Sequence, residues 1–284
     1  MVTLTTALRD ATVRLEDSDS PQLDAELLLG YVLGRDRSHL RAHPEATLDT
    51  GQVHRYAELI EARRRGEPVA YLTSEREFWS LLLKVTPATL IPRPETELLV
   101  EQALSLIPID ADWDILDLGT GSGAIALAIA NERRRCRVTA VDISTAALEV
   151  AQHNAQRLGI GNAEFLRGDW FSPVKGRRFR VIVSNPPYVS VGDPHLAEGD
   201  LRFEPAQALS SGHDGLQDIR CIVADAPSHL HQGAHLLLEH GYGQSEAVRG
   251  LMQAAGFTDV RSVRDLAGHE RISLGLHANA PASR

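Results

Sequence analysis

From residue 113 onward the chain alternates strand-like and helix-like stretches, and the first of these transitions constrains the fold most. Asp114-Ile115-Leu116-Asp117-Leu118 runs through Gly119-Thr120-Gly121-Ser122-Gly123 into an apolar helical stretch, Ala124 to Ala130. Strands separated by helices predict an α/β fold with a mostly parallel sheet. Glycines at the first crossing let the backbone turn tightly and approach a ligand, with helix N–H groups facing that ligand. The spacing Gly-x-Gly-x-Gly differs from the Gly-x-Gly-x-x-Gly of dinucleotide sites, which leaves room for a pyrophosphate.

The next strands each end on a chemically useful group. Arg137 to Val141 ends at Asp142, where a carboxylate can take two ribose hydroxyls. Ser144 then caps a helix with Leu148, Ala151, Ala155 and Leu158 on one face, closed by Gly159. Ala163 to Leu166 ends in Gly168-Asp169-Trp170. An indole there can stack on a purine and Asp169 can accept from an exocyclic amine, although a tryptophan taken alone is more often core.

The apolar run Val181-Ile182-Val183 ends at Ser184, because Asn185-Pro186-Pro187-Tyr188 cannot continue a ladder. This stiff turn offers one amide, two proline carbonyls and one aromatic ring. Such a set suits a planar group bearing an NH2, whose two N–H bonds need acceptors and whose face needs cover. By itself the tetrapeptide reads equally as a proline-stopped strand with a packed tyrosine. In open α/β sheets, however, ligands bind at the carboxyl ends of the strands, where the strand order switches. All four groups fall at that edge.

Residues up to about 75 read instead as helices. Ser20 followed by Pro21 predicts a capped start, Leu23, Leu27 and Tyr31 an apolar stripe, and Gly34 a stop. A later helix puts Val53, Tyr56, Ala57 and Ile60 on one face and ends in Arg63-Arg64-Arg65 before Gly66. These helices predict a small bundle. From Phe78 to Ile91 the pattern becomes strand-like: Phe78-Trp79, then Leu81 to Val85, with a turn at Thr86-Pro87-Ala88-Thr89. We read a short hairpin linking two domains, followed by a rigid helix entry at Pro92-Arg93-Pro94-Glu95-Thr96-Glu97. The expected division is 1–75 helical, 76–92 hairpin linker and 93–284 catalytic domain. Ala234 to Leu238 predicts a fifth strand, Thr258 to Val263 and Arg271 to Leu276 a closing antiparallel pair, and the residues after His277 a frayed tail.

Net charge is −9, from 29 basic and 38 acidic residues. That argues against a partner held along a phosphate backbone. Arg63–Arg65 and Arg133–Arg135 are short runs near helix ends, where solvated charge is the usual role. The two cysteines, Cys136 and Cys221, suit neither a disulfide framework nor a metal site. His39, His43, His54, His229, His231 and His235 have no ligand spacing, so no metal is expected. No signal peptide or membrane span is read, and a cytoplasmic protein is expected, with a monomer as the default.

These residues resemble the S-adenosylmethionine-dependent methyltransferases, within which Asn-Pro-Pro-Tyr marks enzymes that methylate a planar amide or exocyclic amine nitrogen. The whole chain resembles the peptide chain release factor glutamine methyltransferases, the HemK/PrmC family. The likeness runs through Glu75 to Trp79, Ile91 to Glu97, Asp117 to Gly123, Ser184 to Tyr188, Arg202-Phe203-Glu204-Pro205, Gly212 to Leu216 and Leu238-Glu239-His240-Gly241. Ser122 stands where that family often has threonine. The resemblance implies a Rossmann-like seven-stranded methyltransferase fold preceded by the helical bundle and hairpin. It also implies methyl transfer from S-adenosyl-L-methionine to the glutamine amide of a release factor's Gly-Gly-Gln loop, with S-adenosyl-L-homocysteine as product. Gly119, Thr120, Gly121, Ser122 and Gly123 would hold the methionine part of the cofactor, Asp142 its ribose and Trp170 its adenine side. Asn185, also beside the cofactor, and the Pro186 carbonyl would accept the two amide N–H bonds. Pro187 stiffens the turn, and Tyr188 would cover the amide face. The long polar segment from Val189 to Asp218, with the helical block, would grip the protein substrate. The rivals are an adenine or cytosine amino-methyltransferase, which needs a basic base-flipping face, and a non-catalytic cofactor-binding module.

Overall fold

The structure, a computed structural model, describes residues 1–278 of the 284-residue chain. The frayed tail expected after His277 lies outside them from residue 279 on. The chain forms two compact units, Met1–Glu75 with Ala197–Phe203, and Arg76–Leu196 with Glu204–Arg284.

The first unit packs helices α1 (Leu4–Arg14), α2 (Pro21–Leu33), α3 (Arg37–Ala42), α4 (Thr50–Arg64) and α5 (Val69–Thr73). Leu4, Leu28, Leu29, Leu40, Tyr56 and Ile60 build its core. A two-residue antiparallel ladder, β1 (Val2–Thr3) with β2 (Thr47–Leu48), was not visible to helical periodicity. The predicted face of α2 is reversed. Asp24, Ala25, Leu28 and Leu29 are buried, while Leu23, Leu27 and Tyr31 are 38%, 39% and 37% exposed. This helix is apolar nearly all round, so spacing alone could not choose its inner face. Ala57 likewise lies outside the buried face of α4. Ser20 precedes Pro21 as expected, but its hydroxyl donates to Asp24 Oδ1 at 3.1 Å rather than capping the backbone. Arg63 is not solvated charge. It is mostly buried, donating from Nε to Asp24 Oδ2 at 2.7 Å and from Nη1 to Asp200 Oδ1 at 3.0 Å.

The hairpin pairs β3 (Glu75–Phe78) with β4 (Leu81–Lys84). Its turn is Trp79-Ser80, both at positive φ (51° and 57°), the geometry that matches hairpin twist. Trp and Ser carry no turn signal, so the sequence showed only the later turn, which exists as Thr89 N–H to Thr86 O at 2.9 Å. A short 3-10 turn, Pro94–Thr96, leads into α6 (Glu97–Leu106).

The second unit then follows in order: β5 (Asp114–Leu118), α7 (Ala124–Glu132), β6 (Arg137–Asp142), α8 (Thr145–Leu158), β7 (Ala163–Arg167) and β8 (Phe179–Ser184). After α9 (Ala206–Leu209) come α10 (Gln217–Asp225), β9 (Leu230–Glu239), α11 (Ser245–Ala254), β10 (Thr258–Arg264) and β11 (Glu270–His277). The seven strands are ordered β10-β11-β9-β8-β5-β6-β7, parallel from β9 to β7 and antiparallel at β11 and β10. Alternation along the strands feeds two cores. Ile115, Val181, Val183 and Leu237 face the layer holding α6 and α7, while Leu116, Leu118, Ile182 and Leu238 face α10 and α11. Arg133 donates to the carbonyls of Ile107 and Leu104, both at 2.8 Å, closing the end of α6 rather than presenting charge. His229 stacks on Phe171 with ring centroids 4.6 Å apart.

Candidate active site at the switch in strand order

The strand order reverses between β5 and β8, since the chain moves outward from β5 through β6 to β7 and then returns. Leu118 pairs with Ser184 across that junction. The glycine loop and the Asn-Pro-Pro-Tyr turn therefore leave adjacent strands at the same edge, where an open α/β sheet binds ligands. Gly119, Gly121 and Gly123 all have positive φ (72°, 56° and 84°), as the tight turn into α7 requires. A Cβ on Gly119 would lie 3.6 Å from the Trp170 ring and 3.9 Å from the Asn185 carbonyl oxygen. Three of the predicted groups thus meet around one backbone position.

The loop's own hydroxyls point inward. Thr120 Oγ1 donates to Asp117 Oδ2 at 2.7 Å, and Ser122 is 2% exposed. Asp117 is fully buried, its Oδ1 without a hydrogen-bond partner among the described residues, and burial pushes its carboxyl up to about 7. Thr120 and Ser122 thus shape the loop and leave its backbone to face a ligand. Asn154 on α8, fully buried, donates to the carbonyls of Ser122 at 2.9 Å and Lys84 at 3.0 Å. It fixes the loop from below. The only hint in the sequence was an amide placed between Ala151 and Ala155.

Asp142 ends β6 with its carboxylate held by two backbone amides, Gly121 N–H on Oδ2 at 2.9 Å and Ser144 N–H on Oδ1 at 2.8 Å. Each oxygen keeps a lone pair for a hydroxyl, so the donor set fits a ribose. The next residue, Ile143, is 59% exposed at this edge, an apolar surface that the sequence reading passed over. Trp170 follows β7 at φ 42° and is half-buried beside the glycine loop. A glycine cradle, a fixed carboxylate and an indole around one crevice fit an adenosine bearing an amino-acid tail, which is the shape of S-adenosylmethionine.

The turn after β8 is held from several sides. Asn185 Nδ2 donates to Thr96 Oγ1 at 3.2 Å, and among the described residues Asn185 Oδ1 has no partner. Pro186 is buried and Pro187 half-buried. Tyr188 is half-buried, its hydroxyl donating to Glu239 Oε1 at 3.4 Å and its carbonyl accepting from Gln244 Nε2 at 3.0 Å. Gly215 comes so close that a Cβ there would lie 2.2 Å from the Tyr188 carbonyl oxygen. Only glycine fits. The segment after the turn folds back on it, with Val189 N–H to Leu209 O and Ser211 N–H to Val189 O, both 2.9 Å. Glu204 within that segment accepts from Ile91 N–H at 3.0 Å and ion-pairs with Arg93. Thr96, Glu239, Gln244 and Glu204 were missed as functional residues. Three of them lie in stretches quoted for the family resemblance, but nothing local distinguishes a buried acid from a surface one.

Family profiles match at both ends of this arrangement, the PrmC N-terminal domain over residues 6–73 and the methyltransferase small domain over 94–212. The release factor glutamine methyltransferase of Pseudomonas aeruginosa is 54% identical over 278 residues, 98% of this chain and 100% of its own. This chain belongs to the release factor glutamine methyltransferases. The enzyme of that name from Escherichia coli is 51% identical, covering 95% of this chain and 97% of its own length. A solved methyltransferase from Pyrococcus furiosus, 20% identical, superposes with a TM-score of 0.53 over 70% of this chain and 90% of that one. At that identity it supports the fold, and the mixed seven-stranded sheet is the Rossmann-like methyltransferase arrangement. Among the described residues there is no group of side chains able to hold a metal, and no helix is long and apolar enough to cross a membrane.

Proposed function

We propose that this chain methylates the side-chain amide nitrogen of the glutamine in a release factor's Gly-Gly-Gln loop, with S-adenosylmethionine as donor. The observation that carries the reading is Asn185: an amide anchored through its nitrogen to Thr96, with its oxygen unpartnered, beside the glycine loop. S-adenosylmethionine supplies a methyl group on a positively charged sulfur. The backbone of Gly119 to Gly123, the carboxylate of Asp142 and the indole of Trp170 are proposed to hold it.

An amide nitrogen is a poor nucleophile because its lone pair is delocalised into the carbonyl. Asn185 Oδ1 and the Pro186 carbonyl, accepting the two N–H bonds, would orient that nitrogen towards the methyl group and stabilise the positive charge that develops on it. Pro187 limits the turn to one backbone path, and Tyr188, with its hydroxyl tied to Glu239, would cover the amide face. We assign residues 1–75 as the substrate-binding domain, 76–92 as the linker and 93–284 as the methyltransferase domain. The exposed stripe of Leu23, Leu27 and Tyr31 supports a protein-contacting role for the first unit. A cytoplasmic monomer is part of the same proposal.

The test is label transfer from methyl-labelled S-adenosylmethionine to purified release factor, to the factor with its Gly-Gly-Gln glutamine replaced, and to nucleic acid, in parallel. Label on the intact factor alone is the expected result. Label on nucleic acid, or on no substrate, overturns the assignment.

A further inference from the structure

The long segment after the Asn-Pro-Pro-Tyr turn leaves and returns at one place. Val189 N–H donates to Leu209 O and Ser211 N–H to Val189 O, both at 2.9 Å, and Val191 N–H donates to Gly212 O at 2.8 Å. These bonds close a neck between Val189 and Gly212, built on an isolated bridge from Val189 to Ser210 rather than on a strand. So short a pairing is marginal without support from outside it.

That support comes from Gln244, the residue just before α11. Its Nε2 donates to Tyr188 O at 3.0 Å and to Asp214 O at 3.3 Å. Tyr188 is the last residue before the loop, and Asp214 follows its return. One NH2 group, with two protons, thus bridges both ends. The amide has a single workable orientation. Gly241 N–H donates to Oε1 at 2.8 Å, and a reversed amide would set donor against donor there and oxygen against two carbonyls. Gly215, at φ 72°, makes room for the bridge, since a Cβ there would lie 2.7 Å from Nε2. The return end is pinned as well, because the Asp214 carboxylate accepts from Leu216 N–H at 3.1 Å and from Arg220 Nη1 at 3.0 Å.

We propose that Gln244 is a positioning residue, a clasp that holds the Asn-Pro-Pro-Tyr turn and the return end of the substrate loop in one register. The proposal rests on the reading that this turn receives the substrate amide. Slippage at the Tyr188 carbonyl moves the turn that carries Asn185, and a misplacement of about 1 Å at a reacting centre costs about a hundredfold in rate. Gln244 itself touches no reacting atom.

The test uses Gln244→Glu and Gln244→Met in the full chain. Both are close to glutamine in size, and both remove the NH2 donor. At about pH 8 each should lower kcat by about tenfold or more, with S-adenosylmethionine affinity kept within about twofold. Acidification then separates them. A carboxylate at this position faces two carbonyl oxygens and one N–H, which raises its pKa. Once protonated it has an O–H for one carbonyl and an oxygen for Gly241 N–H, so Gln244→Glu regains part of the clasp, whereas Gln244→Met has nothing to titrate. From about pH 8 to about pH 5.5 the ratio of kcat to that of wild type should rise severalfold for Gln244→Glu and stay flat for Gln244→Met. Titrating groups common to all three proteins cancel in this ratio. The nearest, Asp214, is held down to about 2 by its hydrogen bonds from Arg220 and stays charged throughout. Full kcat in both variants at the higher pH, or a loss in Gln244→Glu that acid does not relieve, overturns the clasp.

Hydrogen exchange gives a readout that needs no release factor. At about pH 8 the amides of Val189, Val191 and Ser211 should exchange about tenfold faster or more in either variant, while those of β5 and β6 keep their wild-type rates. Unchanged exchange at the neck rejects the proposal. If wild type labels no release factor, the proposed function fails, and the exchange rates still decide the clasp.

Discussion

Asp117 Oδ2 accepts from two directions, the Thr120 hydroxyl at 2.7 Å and the backbone N–H of Ala126 at 3.2 Å, so one buried oxygen joins the glycine loop to the helix that follows it. Thr120→Val removes one of these donors without changing the side chain's shape. The variant should lose about 1–3 kcal/mol of stability through the underpartnered carboxyl. It should also bind S-adenosylmethionine more weakly as the loop loosens. Urea unfolding and calorimetric titration check the two effects, and Thr120→Ser should restore both.

Asn185→Ala removes the acceptor proposed to orient the substrate amide. Turnover should fall by about a hundredfold or more, the scale seen when one preorganised hydrogen-bonding group is lost from an active site. Cofactor affinity should be nearly unchanged, because the glycine loop and Asp142 do not depend on that amide. Near-normal turnover in single-turnover assays would remove Asn185 from the mechanism.

Two buried acids make stability depend on pH in a specific direction. Burial pushes both Asp117 and Glu239 up to about 7, whereas carboxyls in an unfolded chain release their protons near about 4. Between those values the folded state holds more protons, so stability should fall as pH rises from about 4 to about 7 and then level off. Denaturant midpoints measured at steps from pH 5 to pH 8 follow this slope. Glu239→Gln should flatten it, since one of its two sources is gone.

The apolar stripe on α2 gives a prediction that separates binding from chemistry. Leu23→Ser with Leu27→Ser changes side chains that are already more than a third exposed, so the unfolding midpoint should barely move. KM for the release factor should rise severalfold, with kcat and S-adenosylmethionine affinity kept. An unchanged KM would free this face from substrate binding.

The methyltransferase sheet was legible because its parallel strands are short, mostly apolar runs, with β5 and β7 followed by glycine and β8 by the two prolines after Asn185, signals that survive without knowledge of neighbours. The glycine loop, Asp142, Trp170 and the turn at Asn185 could be read as one edge for the same reason, since each closes a strand. Features decided by tertiary contact were not legible. The inner face of α2 depends on what packs against a helix apolar nearly all round, and the Trp79-Ser80 turn is held by Trp79 N–H to Glu97 Oε1 at 2.7 Å. Asn154, Thr96 and Glu239 look like ordinary surface residues in sequence. Burial alone turns them into supports, and burial of a polar side chain leaves no periodic trace.

Ala197–Phe203 belongs to the first unit although it follows the Asn-Pro-Pro-Tyr turn in the chain. Its Asp200 supplies one of the two carboxylates on the largely buried guanidinium of Arg63. During synthesis the helices of the first unit emerge early, yet Arg63 waits for Asp200 until the Asn-Pro-Pro-Tyr turn has already been made. The amino-terminal unit is therefore the first begun and among the last completed, and a nascent chain stopped before Phe203 carries an unfinished one.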